Sequence, residues 1–81
     1  MKKNILITGG SGYLGVNLAI NLKKKYNIFL GSRNQKRNLE ATQKTLCKSI
    51  PLDVSNINSV RDAVIYSKPH IIIHAAATKF V

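Results

Sequence analysis

Acidic side chains are nearly missing from this chain. Three Asp and Glu stand against thirteen Lys and Arg, a formal net charge of +10 over 81 residues. A surface neutralised by its own charges is thereby excluded. Cysteine is represented by Cys47 alone, so no disulfide can form within the chain. There is no Trp, and the aromatics are three Tyr and two Phe. An aromatic-rich nucleic-acid surface has little to build on, and no helix-turn-helix or RNA-binding signature is present. No apolar run approaches the ~18 residues of a membrane-crossing helix. Met1-Lys2-Lys3 imitates the start of a signal peptide, but the apolar run Ile5-Leu6-Ile7 stops at Thr8-Gly9-Gly10. No membrane span is expected, and a cytoplasmic, reducing setting is. His70, His74 and Cys47 lack metal-site spacing.

What is present describes a folded chain. Hydrophobic residues make up 44% and charged residues 20%, which excludes disorder on composition. The length allows one domain at most. The charge is uneven: residues 1–48 carry a balance of +9, with Glu40 as their only acid, and residues 49–81 a balance of +1. Such a basic half suits nucleic acid, anionic lipid or a phosphorylated small molecule. It also suits a solvated surface whose acidic complement lies elsewhere in a longer protein.

The apolar runs are short and β-branched. Asn4–Thr8 reads as a buried strand closed by glycines. Residues 12–25 read as a helix with Leu14, Leu18 and Leu22 on one face and Lys23-Lys24-Lys25 in its last turn. Asn27–Leu30 is a second strand, stopped by Gly31. Residues 34–46 signal a helix weakly, through Leu39, Ala41 and Leu46. Ser49–Leu52 is a third strand, and Pro51 argues for the sheet edge. Ser55 is placed to cap a helix carrying Ile57, Val60 and Val64. His70–Ala75 reads as a fourth, fully buried strand. This alternation predicts an α/β fold, a parallel sheet of about four strands with helices on both faces.

The turn between the first strand and first helix carries chemistry. In Thr8-Gly9-Gly10-Ser11-Gly12-Tyr13-Leu14-Gly15 the glycines recur at every third position, with Gly10 extra. A tight turn needs a residue free to take positive φ. A pyrophosphate needs close backbone approach at a helix N-terminus. The last glycine lets helix and strand pack closely. A strand before the pattern and an amphipathic helix after it are the context a dinucleotide site requires.

The ends of the later strands refine that reading. About 20 residues beyond the glycines, an acid would bind the ribose 2′-OH of NAD. Here the stretch is Gly31-Ser32-Arg33-Asn34, without Asp or Glu. Arg33 and Ser32 suit a 2′-phosphate, which favours NADP and leaves NAD possible. The other reading of Arg33 is one more exposed cation. Asp53, before Val54, is placed either to accept from an adenine amino group or to cap the next helix. His74-Ala75-Ala76-Ala77 ends the fourth strand with small residues that let a cofactor lie against the backbone. His74 itself reads as a hydrogen-bonded structural histidine.

These stretches together resemble the extended short-chain dehydrogenase/reductase superfamily, the NAD-dependent epimerases and dehydratases. The resemblance covers nearly the whole chain, as the N-terminal half of that family's Rossmann domain. Gly12-Tyr13-Leu14-Gly15 is similar to the nucleotide-sugar-modifying branch. Gly31-Ser32-Arg33-Asn34 and His74–Val81 are similar to the polysaccharide-biosynthesis group of UDP-N-acetylglucosamine 4,6-dehydratases. The resemblance implies a cofactor site built from Thr8, Gly9, Gly12, Tyr13, Leu14, Gly15, Ser32, Arg33, Asp53, Val54, Ala75, Ala76, Ala77 and Lys79. An exposed, solvated side chain is the other reading of Lys79. It implies a nucleotide-sugar substrate, hydride removal from the sugar C4 and its later return, and a homo-oligomer at full length. The family's catalytic Tyr-x-x-x-Lys is absent from these 81 residues: Tyr66 is followed four positions on by His70. No catalytic residue is assigned, and the chain is expected to be inactive alone as the first part of a longer domain. Two alternatives remain: a non-catalytic NADP-binding regulator, and another extended short-chain reductase. A half sheet with an open edge is also expected to be marginally stable, since so short a chain buries little more than ~60% of its unfolded surface.

Overall fold

A computed structural model describes residues 2–75. Seven elements follow one another: β1 (Lys3–Thr8), α1 (Tyr13–Leu22), β2 (Tyr26–Ser32), α2 (Gln35–Thr45), β3 (Lys48–Pro51), α3 (Ile57–Ser67) and β4 (Ile71–His74). The strands form one sheet in the order β3-β2-β1-β4, and every pairing is parallel. The two central strands are the most apolar. Ile5, Leu6, Ile7 and Leu30 are almost wholly buried, each contributing roughly 1.5–3 kcal/mol by burial.

Alternation along these strands feeds two separate cores. Ile5, Ile7, Ile28 and Leu30 face α1 and α2, meeting Ala19 and Ala41. Leu6 and the half-buried Phe29 point the other way, toward Ile50, Leu52 and Ala63 of the β3–α3 region. Helices therefore cover both faces, as the alternation of strand and helix predicts.

The helices present other faces than the leucine spacing suggests. α1 buries Gly15 and Ala19, while Leu14 is 56% exposed and Leu18 and Leu22 only flank the core. A four-residue step advances about 40° around a helix, so three leucines smear over a wide arc. The small residues let the helix lie close to the sheet. α1 also ends before its lysines: Lys23 is its C-cap, and Lys23 Nζ donates to the Thr45 carbonyl at 3.0 Å. In α2 only Ala41 of the expected apolar anchors is buried; Leu39 and Leu46 are exposed, and Asn38 and Thr45 are buried instead. α3 is capped by Asn56, whose Oδ1 accepts from the N–H groups of Asn58 and Ser59, and not by Ser55. Its Ile57 is 79% exposed, and Ala63 and Ser67 are the buried positions.

Two strand expectations are also corrected. Gly31 continues β2, paired with Thr8 on one side and Ile50 on the other. A Cβ there would lie 3.0 Å from the Leu52 Cβ and Cδ1, so a larger residue would push the Leu52 side chain back by a few tenths of an ångström. β4 is an outer strand, and Ile71 and Ile72 are 41% and 54% exposed, because no layer covers them among the described residues. Pro51 lies in the outer strand β3, where a missing N–H costs no ladder bond.

Candidate functional site

In a parallel sheet all C-terminal strand ends meet at one edge, and the glycine turn lies there between β1 and α1. Gly9 has φ 68°, the left-handed region that favours glycine. The Gly10 N–H donates to the Gly31 carbonyl at 3.0 Å, tying the turn to β2. A Cβ on Gly15 would lie 2.5 Å from the Gly10 Cα, so α1 rests directly on the turn's backbone.

Gly12 differs from these. Its backbone is extended, and a Cβ there would meet only the Gly9 carbonyl oxygen at 3.5 Å, an ordinary contact. Nothing within the described chain requires glycine at this position. Gly12 is also the N-cap of α1 and supplies no capping side chain, whereas α2 and α3 are capped by Asn34 and Asn56. The first intrahelical bond runs from the Val16 N–H to the Gly12 carbonyl. The N–H groups of Tyr13, Leu14 and Gly15 are thus left to an outside acceptor, at the positive end of the helix dipole. Tyr13 is 89% exposed beside them. No acid occupies the first turn of α1. An open approach, bare N–H groups and no competing carboxylate fit the phosphates of a dinucleotide.

Ser32 joins this turn to the end of β2. Ser11 Oγ donates to Ser32 Oγ at 2.8 Å, and the Asn34 N–H donates to the same oxygen at 3.2 Å. Two hydroxyls bonded to each other use one hydrogen between them, so one O–H is left to point outward. The Ser32 carbonyl accepts from Asn38 Nδ2 at 2.9 Å and from the Leu52 N–H at 3.0 Å. Asn38 Nδ2 also reaches the Ile50 carbonyl at 3.3 Å, while its buried Oδ1 has no partner. Asn38 therefore clamps the ends of β2 and β3. Sequence reasoning singled out neither residue of this frame: Ser11 shows only as a non-glycine in the turn, and Asn38 carries no signal.

Arg33 is exposed next to Ser32, and its charge reaches Asp53 across the β2–β3 ends. The Ser55 hydroxyl and N–H, bonded to Asp53 Oδ1 at 2.6 Å and 3.0 Å, hold the Asp53 carboxyl below its ordinary 3.8, with Arg33 adding to the effect. Asp53 thus builds the turn before α3, while the cap of that helix falls to Asn56. Val54 follows it, 55% exposed. Thr8 is 8% exposed, with its Oγ1 hydrogen-bonded to His74 Nδ1 at 2.5 Å. His74 has the hydrogen-bonded part expected of it, though its surface is exposed. Ala75 is buried, and its N–H donates to the Thr8 carbonyl at 2.8 Å. Ala76, Ala77 and Lys79 lie outside the described residues.

A parallel α/β sheet with a glycine turn leading into an uncapped helix defines a nucleotide-binding Rossmann-like domain. The sequence profile of the NAD dependent epimerase/dehydratase family matches residues 5–81, and the chain belongs to that family. No curated protein matches the chain by sequence. Among solved structures it is similar to L-threonine dehydrogenase from Clostridium difficile, with 30% identity and a TM-score of 0.74, covering 90% of this chain and 23% of that one. A short chain dehydrogenase from Bacillus anthracis aligns at TM-score 0.82 and 21% identity, covering 96% of this chain and 36% of that one. Menthone neomenthol reductase from Mentha piperita aligns at TM-score 0.79 and 24% identity, covering 96% and 33%. The chain spans between about a quarter and about a third of these structures' length.

Proposed function

We propose that this chain is the NADP-binding part of a nucleotide-sugar 4,6-dehydratase or epimerase acting in surface-polysaccharide synthesis. The observation that carries the cofactor choice is the end of β2. There the Ser11–Ser32 pair leaves one O–H unused, the exposed, guanidinium-bearing Arg33 follows next in the chain, and residues 31–34 contain no acid. A 2′-phosphate accepts from both groups. A ribose 2′-OH lacks the carboxylate that normally receives it. The N–H groups of Tyr13, Leu14 and Gly15 would hold the pyrophosphate, with Gly9 and Gly12 giving it room. Thr8 and Ala75 would floor the central part of the cofactor, followed by Ala76, Ala77 and Lys79. Asp53 and Val54 would border the adenine. When bound, the nicotinamide supplies reversible hydride acceptance; these residues fix its position and exclude water.

The substrate class rests on the resemblance of Gly12-Tyr13-Leu14-Gly15, Ser32-Arg33 and the alanine segment to nucleotide-sugar dehydratases. On this reading the protein acts in the cytoplasm as a homo-oligomer, and its acid–base pair is carried outside these residues. Calorimetric titration with NADP and NAD tests the cofactor choice. A charge-assisted bond to phosphate contributes about 1.5–3 kcal/mol, so Arg33→Ala should weaken NADP roughly 10- to 150-fold and leave NAD unchanged. Tighter binding of NAD than of NADP by the unaltered protein would overturn the reading.

A further inference from the structure

The glycine turn uses one end of the sheet, and a cluster of six lysines lies at the other. Lys2 and Lys3 open β1, Lys23, Lys24 and Lys25 make the α1–β2 turn, and Lys48 opens β3. The parallel topology puts all of these at the N-terminal strand ends. None of the three acids is there: Glu40 lies within α2, Asp62 within α3, and Asp53 follows β3 at the opposite end. We propose that this lysine-rich end is a docking face for an anionic phospholipid surface, with the nucleotide site held away from the membrane.

Three features favour lipid over other polyanions. Two of the cations are held in place: Lys2 Nζ donates to the Lys23 carbonyl at 3.3 Å, and Lys23 Nζ to the Thr45 carbonyl. Together with Lys48 they line an open cavity of about 550 Å³, wide enough to admit a headgroup phosphate. Leu46 lines the same cavity, yet it is 83% exposed and held at φ 62°, a conformation that favours glycine or asparagine. An outward leucine ringed by lysines is the composition of an interfacial anchor. These six cations are all lysines, without the arginine forks that read nucleic acid, and the one Tyr here, Tyr26, is half-buried. The three strand spacings from β3 to β4 span about 14 Å, so the charges act within one or two Debye lengths of each other.

The test is co-sedimentation of the purified protein with vesicles of phosphatidylcholine alone or with 30% phosphatidylserine. Binding should need the anionic lipid and fall steeply between low and high salt. Each lysine near such a surface raises partitioning about fivefold, so the triple variant K3Q/K24Q/K25Q should bind roughly 100-fold less. These three side chains are exposed, so the fold should survive, as circular dichroism would register. Leu46→Asn suits the left-handed cap and should keep or raise the melting temperature while lowering binding several-fold. K36Q/R37Q, at the other end, should bind as the unaltered protein does. Equal binding to neutral vesicles, no binding, unchanged binding by the triple variant, or tighter binding to a random DNA duplex at the same salt would each overturn the proposal.

Discussion

Substituting Gly12 and Gly15 separately should split affinity from stability. At Gly15 a Cβ would fall 2.5, 2.6 and 2.7 Å from the Cα, carbonyl oxygen and carbonyl carbon of Gly10. Carbon atoms in good contact sit about 3.5–4.0 Å apart, so α1 must retreat by about 1 Å. All three atoms are backbone, and Gly10 is itself confined: its own Cβ would meet the Ile7 carbonyl oxygen at 2.7 Å. The turn cannot yield without disturbing β1 and β2. Alanine gains roughly 1 kcal/mol over glycine in a helix interior, which offsets part of the overpacking cost of 1–3 kcal/mol or more. Gly15→Ala should therefore lose about 1–2 kcal/mol and melt roughly 5–15 °C lower.

Gly12→Ala presents the opposite case. Its φ of −79° suits any residue, and the nearest atom to a Cβ is 3.5 Å away. Stability should change by no more than about 0.5–1 kcal/mol, the difference between N-cap residues. A methyl group now stands where a phosphate approaches the bare N–H groups of α1. A clash worth about 2–3 kcal/mol would weaken nicotinamide-nucleotide binding roughly 30- to 150-fold. Urea unfolding by circular dichroism and calorimetric titration of NADP read the two effects independently. NADP bound unchanged by Gly12→Ala would refute this placement of the phosphates. A Gly15→Ala protein as stable as the original would refute the close packing of α1 on the turn.

Ser11→Ala should lower the ratio of NADP to NAD affinity about 3- to 10-fold by releasing the Ser32 hydroxyl from its partner, a bond of about 0.5–1.5 kcal/mol; an unchanged ratio in paired titrations would count against that coupling. Asp53 governs an acid-side effect. Its folded carboxyl titrates below the ordinary 3.8, so its stabilising contribution is present above that value and is lost as pH falls through the folded one. Asn can still accept from the Ser55 N–H, so the gap in urea midpoint between the original and Asp53→Asn should be largest above the ordinary carboxylate range and shrink steadily as the pH is lowered below it. A gap independent of pH would sink this account.

The strands were readable because burial on both faces writes a continuous apolar run, and Ile5-Leu6-Ile7 is such a run. β4 reads the same way, yet Ile71 and Ile72 are exposed, because an apolar run reports the cover a strand is built for, whether or not described residues supply it. Helix faces were harder. Leucines drew attention to Leu14, whereas close packing on a sheet rewards Gly15 and Ala19. At the site, the glycine turn was legible since its backbone demands are local. Ser11 meets Ser32 across 21 residues and Asn38 reaches Ile50 across 12, contacts that no local pattern encodes. Ser55 reads as the cap of α3 from local pattern, but its hydroxyl and N–H are spent on Asp53, which leaves Asn56 at the helix.

The shortage of acids acquires a spatial meaning from the topology. A parallel sheet separates its two ends chemically, since every strand begins at one and finishes at the other. At the finishing end the cations are Arg33, Lys36 and Arg37, beside N–H groups that no side chain caps. Arginine dominates there, suited to forked bonding with a single phosphate held in register. At the starting end the cations are lysines around an exposed Leu46, suited to a diffuse anionic field with no fixed geometry. Acids are absent from the lysine-rich end, and the nucleotide end holds Asp53 alone among them. Those present sit mid-helix, as Glu40 and Asp62 do, or, like Asp53, have Oδ1 bound to Ser55 in a local turn. One excess of charge thus divides into two sites of different chemistry, separable by experiment: Arg33→Ala should affect NADP and not vesicles, and K3Q/K24Q/K25Q vesicles and not NADP. A variant set in which both bindings fell together would show instead that net charge alone drives them, since an undirected field responds to the sum of charges and not to their placement.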